Sequence, residues 1–147
     1  MNARKSAVIA AAKANGVRRV KGQAEDIMVG LGNLRRQATV LMRKGNGNKN
    51  PASSVYSTDE LYAIGKAARV LMAQIQNTPD DQYGTVRDIA GSLQIINDKA
   101  QRLVKYVNNP RIPAEGMVRT IDNLVATVDS AIKKTQYLMG GNRRVRR

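Results

Sequence analysis

The sequence predicts an all-α protein, an elongated bundle of about four helices, and two observations carry that expectation. Apolar residues recur at alternating steps of three and four through most of the 147-residue chain. Such spacing keeps one stripe on one side of a helix, and a strict version is the seam of coiled-coil-like packing. Helix start and stop signals also fall where the stripes begin and end. Four such stripes in one short chain mean helices packed along their lengths.

Residues 1–44 form a basic N-terminal helical segment. Its stripe reads Val17, Val20, Ala24, Ile27, Leu31, Leu34, Ala38, Leu41 and extends back through Ala10. Asn15-Gly16 is a turn signal, so the expectation is a short helix, a kink or turn, then a long helix. Gly22, Gly30 and Gly32 lie off the stripe, where each costs about 1 kcal/mol relative to alanine. They read either as weak surface positions or as places where another helix, including one from a second subunit, comes close.

Residues 45–57, GNGNKNPASSVYS, are rich in Gly, Asn and Ser. Connections in bundles usually run about two to eight residues, so this loop is long. It is either a crossover at the bundle end or a hinge. The hinge leaves the first helix detached from the other three or exchanged with a neighbour in a domain swap.

Residues 58–139 read as three antiparallel helices over 58–77, 79–109 and 113–139, about 30, 45 and 40 Å long at 1.5 Å per residue. The first carries Leu61, Ile64, Ala68, Leu71, Ile75 behind a capping box, with Ser57 as N-cap and Glu60 three residues on. The second carries Val86, Ile89, Leu93, Ile96, Ala100, Leu103, Val107, with Thr78-Pro79 as its expected start. Asn108-Asn109-Pro110 stops it. Pro113 and Glu115 open the third, whose stripe is Met117, Ile121, Leu124, Val128, Ala131, Leu138, with Thr135 in the seam. Gly140-Gly141 ends that helix, because glycine readily takes the left-handed conformation at a helix C-terminus. Residues 140–147, GGNRRVRR, close the chain as a basic tail.

Composition removes whole classes of chemistry. The chain has no Cys, His, Trp or Phe, which excludes the common zinc sites, thiol catalysis, imidazole acid–base work and haem ligation by His or Cys. No disulfide staples the fold, so redox compartment is unconstrained. Acid pairs are the remaining route to catalysis. Asp59/Glu60 and Asp80/Asp81 are each expected in a first helical turn, where carboxylates cap the backbone and complement the dipole. Glu25/Asp26 follow Arg18, Arg19 and Lys21 by about two turns of helix or less, so local ion pairing is expected. GLGN at 30–33 lacks the Lys-Ser/Thr ending and the preceding strand of a phosphate loop. No enzyme, metal site or cofactor is expected.

RRVKGQAEDI, residues 18–27, is similar to the opening-helix motif of the small helical repressors that sense copper or formaldehyde. That family follows the motif with Cys and further Cys or His ligands. This chain has none, and the resemblance stops at residue 27, so no function is carried over from it. The five tyrosines (56, 62, 83, 106, 137) are read as amphipathic residues at the edge of the core rather than stacking platforms for bases.

Formal net charge is +14, and it is unevenly placed. Residues 1–57 hold eleven basic residues against two acids, residues 58–129 eight against nine, and residues 130–147 six against none. Excess charge at both ends of the chain, around a neutral middle, has the character of an electrostatic contact surface. The expected contacts are Arg18, Arg19, Lys21, Arg35, Arg36, Arg43 and Lys44, all off the apolar stripe, and the tail's Arg143, Arg144, Arg146 and Arg147. Arginine suits phosphate because its planar fork donates two parallel hydrogen bonds. The expected partners are nucleic acid, bound without sequence preference, or an acidic protein surface, together with further copies of the chain or neighbouring subunits. No small-molecule substrate is expected.

No run of about 18 apolar residues is present, so no membrane-spanning helix is expected. The opening MNARKSAVIAAAKANGVRRV has the basic, Ala-rich, acid-free composition of a mitochondrial transit peptide; it is expected to be retained as the first helical segment. Small size, basic ends and the lack of catalytic residues lead to a non-enzymatic structural protein of a multi-copy nucleoprotein assembly. A bacteriophage virion component (internal, core or connector-associated) is the expected setting. The alternatives are a free, sequence-tolerant DNA- or RNA-binding protein of the cytoplasm and a peripheral protein of a membrane surface.

Overall fold

The computed structural model describes residues 3–140, with side chains from Gly22 onward. Five helices pack against one another: α1 (Ala3–Gly45), α2 (Ala52–Val55), α3 (Thr58–Ile75), α4 (Thr85–Val107) and α5 (Glu115–Leu138). α1 lies against α5 and α3, α3 against α4, and α4 against α5. The apolar stripes of the sequence are the core. From Ala24 to Leu41 every stripe residue of α1 is buried, as are those of α3 and α4 and those of α5 through Thr135. Thr135 sits in the seam at no cost in unmet hydrogen bonds, because its hydroxyl donates to the Ala131 carbonyl at 2.7 Å. Each fully buried Leu or Ile contributes about 1.5–3 kcal/mol, so this shared seam holds the fold.

The break expected at Asn15-Gly16 is absent; α1 is one helix of 43 residues, about 64 Å long. An Asn and a Gly in a helix interior together cost about 1–2 kcal/mol. The flanking Ala10-Ala11-Ala12-Lys13-Ala14 run consists of the strongest helix formers, and once a helix is nucleated each added residue costs little. The turn signal loses to that context.

α1 also outruns its neighbours. Leu71 of α3 sits beside Gly30, and Asp129 of α5 bonds Arg35. Counting along the antiparallel pairs from these contacts, the ends of α3 at Ile75 and of α5 at Leu138 both reach α1 near Asp26. About six turns of α1 therefore precede the part that α3 and α5 cover. From Ala24 onward the apolar stripe of α1 is buried within its own chain.

The capping box at α3 is present in full: the Ser57 hydroxyl accepts from the Glu60 backbone N–H at 3.1 Å, and a Glu60 carboxylate oxygen accepts from the Ser57 N–H at 2.9 Å. The expected start of α4 at Pro79 is wrong; the helix begins at Thr85, six residues later. Between Ile75 and Val86 the only large apolar side chain is Tyr83, which is exposed, so a helical turn there would bury nothing. The segment instead loops through Gly84, at φ +69°. Asp80 and Asp81 do cap α4, but from the loop. Asp81 accepts from the Thr85 N–H and hydroxyl, each at 2.6 Å, and Asp80 accepts from the Val86 N–H at 3.0 Å. Asp81→Ala is expected to lower stability by about 1–2 kcal/mol, read as a shift in the urea midpoint. An unchanged midpoint would show the loop caps nothing.

The long connection after α1 is tied down. The Ala52 N–H donates to the Ile112 carbonyl at 2.9 Å, the Ala114 N–H to Asn50 at 2.7 Å and the Glu115 N–H to Asn48 at 2.8 Å. Pro51 and Pro113 face each other in an isolated bridge. This stitches the α1–α3 connection to the α4–α5 turn and closes that end of the molecule. At the other end, Gly140 takes φ +78° just past α5, as its glycine pair implies.

Candidate nucleic-acid interface

The four described basic residues of α1 do not form one patch. Residues on a helix advance about 100° each, so 35, 36, 43 and 44 spread around the rod. Arg35 leans to α5, where its Nε donates to Asp129 Oδ1 at 2.6 Å. That hydrogen bond first, and the carboxylate's charge second, hold the guanidinium pKa above its ordinary value. Both side chains are nearly half exposed, so water screens the pair and it adds little stability. Lys44 leans to α3, with Nζ 3.0 Å from Glu60 Oε2, on the same carboxylate group that completes the α3 capping box. Arg36 and Arg43 are exposed and two turns apart, about 10 Å along one side of α1. Arg36 donates to the Asn33 side-chain oxygen.

Arg18, Arg19 and Lys21 belong to α1, but their side chains lie outside those described. Arg143, Arg144, Arg146 and Arg147 lie outside the described residues altogether. Of the expected contact residues, then, two are held by acids of the same chain and two share an open face.

Two features of the surface have no counterpart among the sequence-based expectations. Arg69 of α3 stacks over the Tyr62 ring, 5.3 Å from its centroid, and its Nη1 donates to Asn97 Oδ1 of α4 at 2.8 Å. Asn97 is buried. A guanidinium fixed by stacking and by a hydrogen bond keeps its remaining N–H groups pre-oriented, which is the property that makes arginine effective toward phosphate. It borders a depression of about 280 Å³ between α3 and α4 that includes Gly65. The available signal is Tyr62 and Arg69 seven residues apart on one helix face, with Gly65 between them.

The second feature is a groove of about 480 Å³ between α1 and α3. Asp26, Val29, Gly30 and Asn33 line it from α1, and Lys66 and Val70 are among the residues that line it from α3. Val29 is 66% exposed and Val70 50%. A smaller depression of about 230 Å³ at Val40 and Ala63 continues along the same pair of helices.

Among the described residues, no group of three or more acidic side chains gathers to hold a metal ion. Among them, too, no helix is long and apolar enough to cross a membrane. No protein-family model matches the sequence, and comparison with curated proteins and with solved structures finds no match.

Proposed function

We propose that this chain is a non-enzymatic structural protein that packs in several copies within a nucleoprotein assembly, with the interior, core or connector region of a bacteriophage virion as its setting. In this reading α1, α3, α4 and α5 act as an elongated four-helix bundle, and the part of α1 that outruns the bundle serves contacts between copies. The carrying observation is the placement of charge. Residues 58–129 are close to neutral, while net positive charge gathers in the segments before and after them. Charge segregated in this way raises the local attraction for a polyanion without disturbing the core.

Arg36, Arg43 and the tail arginines are the phosphate ligands of this reading, and Arg69 is a fixed contact on another face. Sequence-tolerant binding follows, because phosphate contacts position a protein on nucleic acid without reading base edges. The test is duplex-DNA affinity against salt for the whole chain and for a version ending at Gly141. Every phosphate ligand removed flattens the log–log slope by about 0.9. Truncation is expected to remove about three to four units of slope. If neither version binds, nucleic acid is not the partner. Binding by an isolated monomer of unchanged affinity would favour a free nucleic-acid-binding protein over an assembly component.

A further inference from the structure

The α1/α3 groove and the N-terminal turns of α1 have matching dimensions and cannot meet within one chain. The groove runs along residues 26–40 of α1, about 21 Å, and residues 4–18 of the same helix span an equal length. Because α1 is one continuous helix, its N-terminal turns continue away from its own groove. Only another molecule can bring them to it.

We propose that two copies pair through antiparallel α1 helices that cross at Gly22, each laying its N-terminal turns over the α1/α3 groove of the other. This rests on the multi-copy reading above and names the partner in it. Around a twofold axis at Gly22, position i of one helix lies level with position 44 − i of the other. Residues 4, 11, 15, 18, 22, 26, 29, 33 and 40 fall on one face at helical spacing, and that set maps onto itself. An isologous interface requires this self-complementarity.

The residue types agree with the register. Arg18 falls level with Asp26 of the other copy, twice in the dimer, beside Gly22 on the axis. Asp26 and Glu25 are the only acids in the first 57 residues, and they meet a segment that has none before them. Ala7, Ala11 and Ala14 fall level with Gln37, Asn33 and Gly30, all groove-lining positions, and small side chains suit a narrow groove. Val29 and Val40, exposed large apolar residues among the described residues of α1, lie on this same face and would be covered. Gly22 is itself unexplained within one chain: it is exposed, and a Cβ there meets nothing within 4 Å. At a crossing point the missing side chain lets two backbones approach.

The chain has no cysteine, so single cysteines report the register directly. Ala11→Cys and Asn33→Cys chains, nuclease-treated, mixed and oxidised, are expected to form a mixed disulfide. Ala11→Cys alone should not cross-link, since the two copies of position 11 would lie about 33 Å apart. Gly22→Cys alone should cross-link. In sedimentation, Asp26→Arg is expected to weaken the dimer about tenfold or more, and Arg18→Asp/Asp26→Arg to recover most of it. Asp26 is exposed, so unchanged helicity and melting in monomeric samples check that the fold survives. A chain that stays monomeric, a dimer without the 11/33 cross-link, or cross-linking between two copies of position 11 would overturn the proposal. All of this is measured without nucleic acid, so a monomer sinks the pairing while the salt-slope experiment still stands on its own.

Discussion

Replacing Tyr56 with alanine is expected to cost about 3–5 kcal/mol of stability, and with phenylalanine about 1–2 kcal/mol. Tyr56 is 3% exposed although its sequence neighbours, SSVYS, are mostly polar. It follows α2 and reaches back across the connection, and its hydroxyl donates to the Leu41 carbonyl at 2.8 Å. That carbonyl lies inside the helical part of α1, which runs to Gly45, so the hydroxyl uses its second lone pair beside the helical bond. The ring thus fills the closed end of the molecule while the hydroxyl ties it to the end of α1. Alanine removes both; phenylalanine removes the second and leaves the carbonyl without this donor.

Alkaline pH tests the same residue differently. Burial, and then the nearby charge of Glu60, push the Tyr56 pKa from 10.0 up to about 12. Folding therefore favours the neutral phenol. Its contribution is complete below pH 10 and is lost as pH rises through the folded value near 12. The difference in stability between the wild-type chain and Tyr56→Phe should shrink between about pH 10 and 12. A difference that stays constant over that range would mean the hydroxyl is not held as described.

The apolar stripes are legible because a 3–4 spacing is the direct record of which side of a helix is buried. Signals that act on one or two residues are weaker guides. Asn15-Gly16 looks like a break and Pro79 like a helix start, yet both lose to context. An alanine run carries α1 through the first, and a stretch with almost nothing to bury postpones α4 past the second. The capping function of Asp80 and Asp81 is legible even though the helix they cap begins further on. Carboxylates need only reach the free N–H groups, and a loop serves as well as a first turn.

The candidate interface is less legible than the core. Arg35 and Asp129 are separated by 94 residues, so nothing local marks Arg35 as already engaged. Lys44 and Glu60 are closer in sequence, but their pairing depends on the connection that brings α3 back alongside α1. Adjacent basic residues on a helix also look like a cluster in sequence while pointing apart in space. Arg69 shows the reverse. Within a segment of nearly balanced charge its only mark is the Tyr62 seven residues before it on the same face, and the packing of Tyr62 and Asn97 around it gives it a fixed geometry.

Gly45→Ala is expected to destabilise the chain by about 2–3 kcal/mol, although alanine is the better helix former by about 1 kcal/mol. A Cβ at Gly45 would fall directly on the Tyr56 hydroxyl, with the Ala114 carbonyl oxygen and Val118 Cγ2 each 3.0 Å away. The hydroxyl can move only by giving up Leu41, and the carbonyl is backbone, fixed by the hydrogen bonds that stitch residues 48–52 to residues 112–115. Gly91, exposed on α4 with nothing within 4 Å of a Cβ, is the control: Gly91→Ala should stabilise by about 0.5–1 kcal/mol. The same exchange thus changes sign with its surroundings. Combining Gly45→Ala with Tyr56→Phe removes the hydroxyl but leaves the Ala114 contact, so the two effects should fall short of adding by about 1 kcal/mol. If Gly45→Ala instead raised the melting temperature as Gly91→Ala does, the closed end would have room to yield. The connection after α1 would then behave as the hinge that its Gly- and Asn-rich sequence allows.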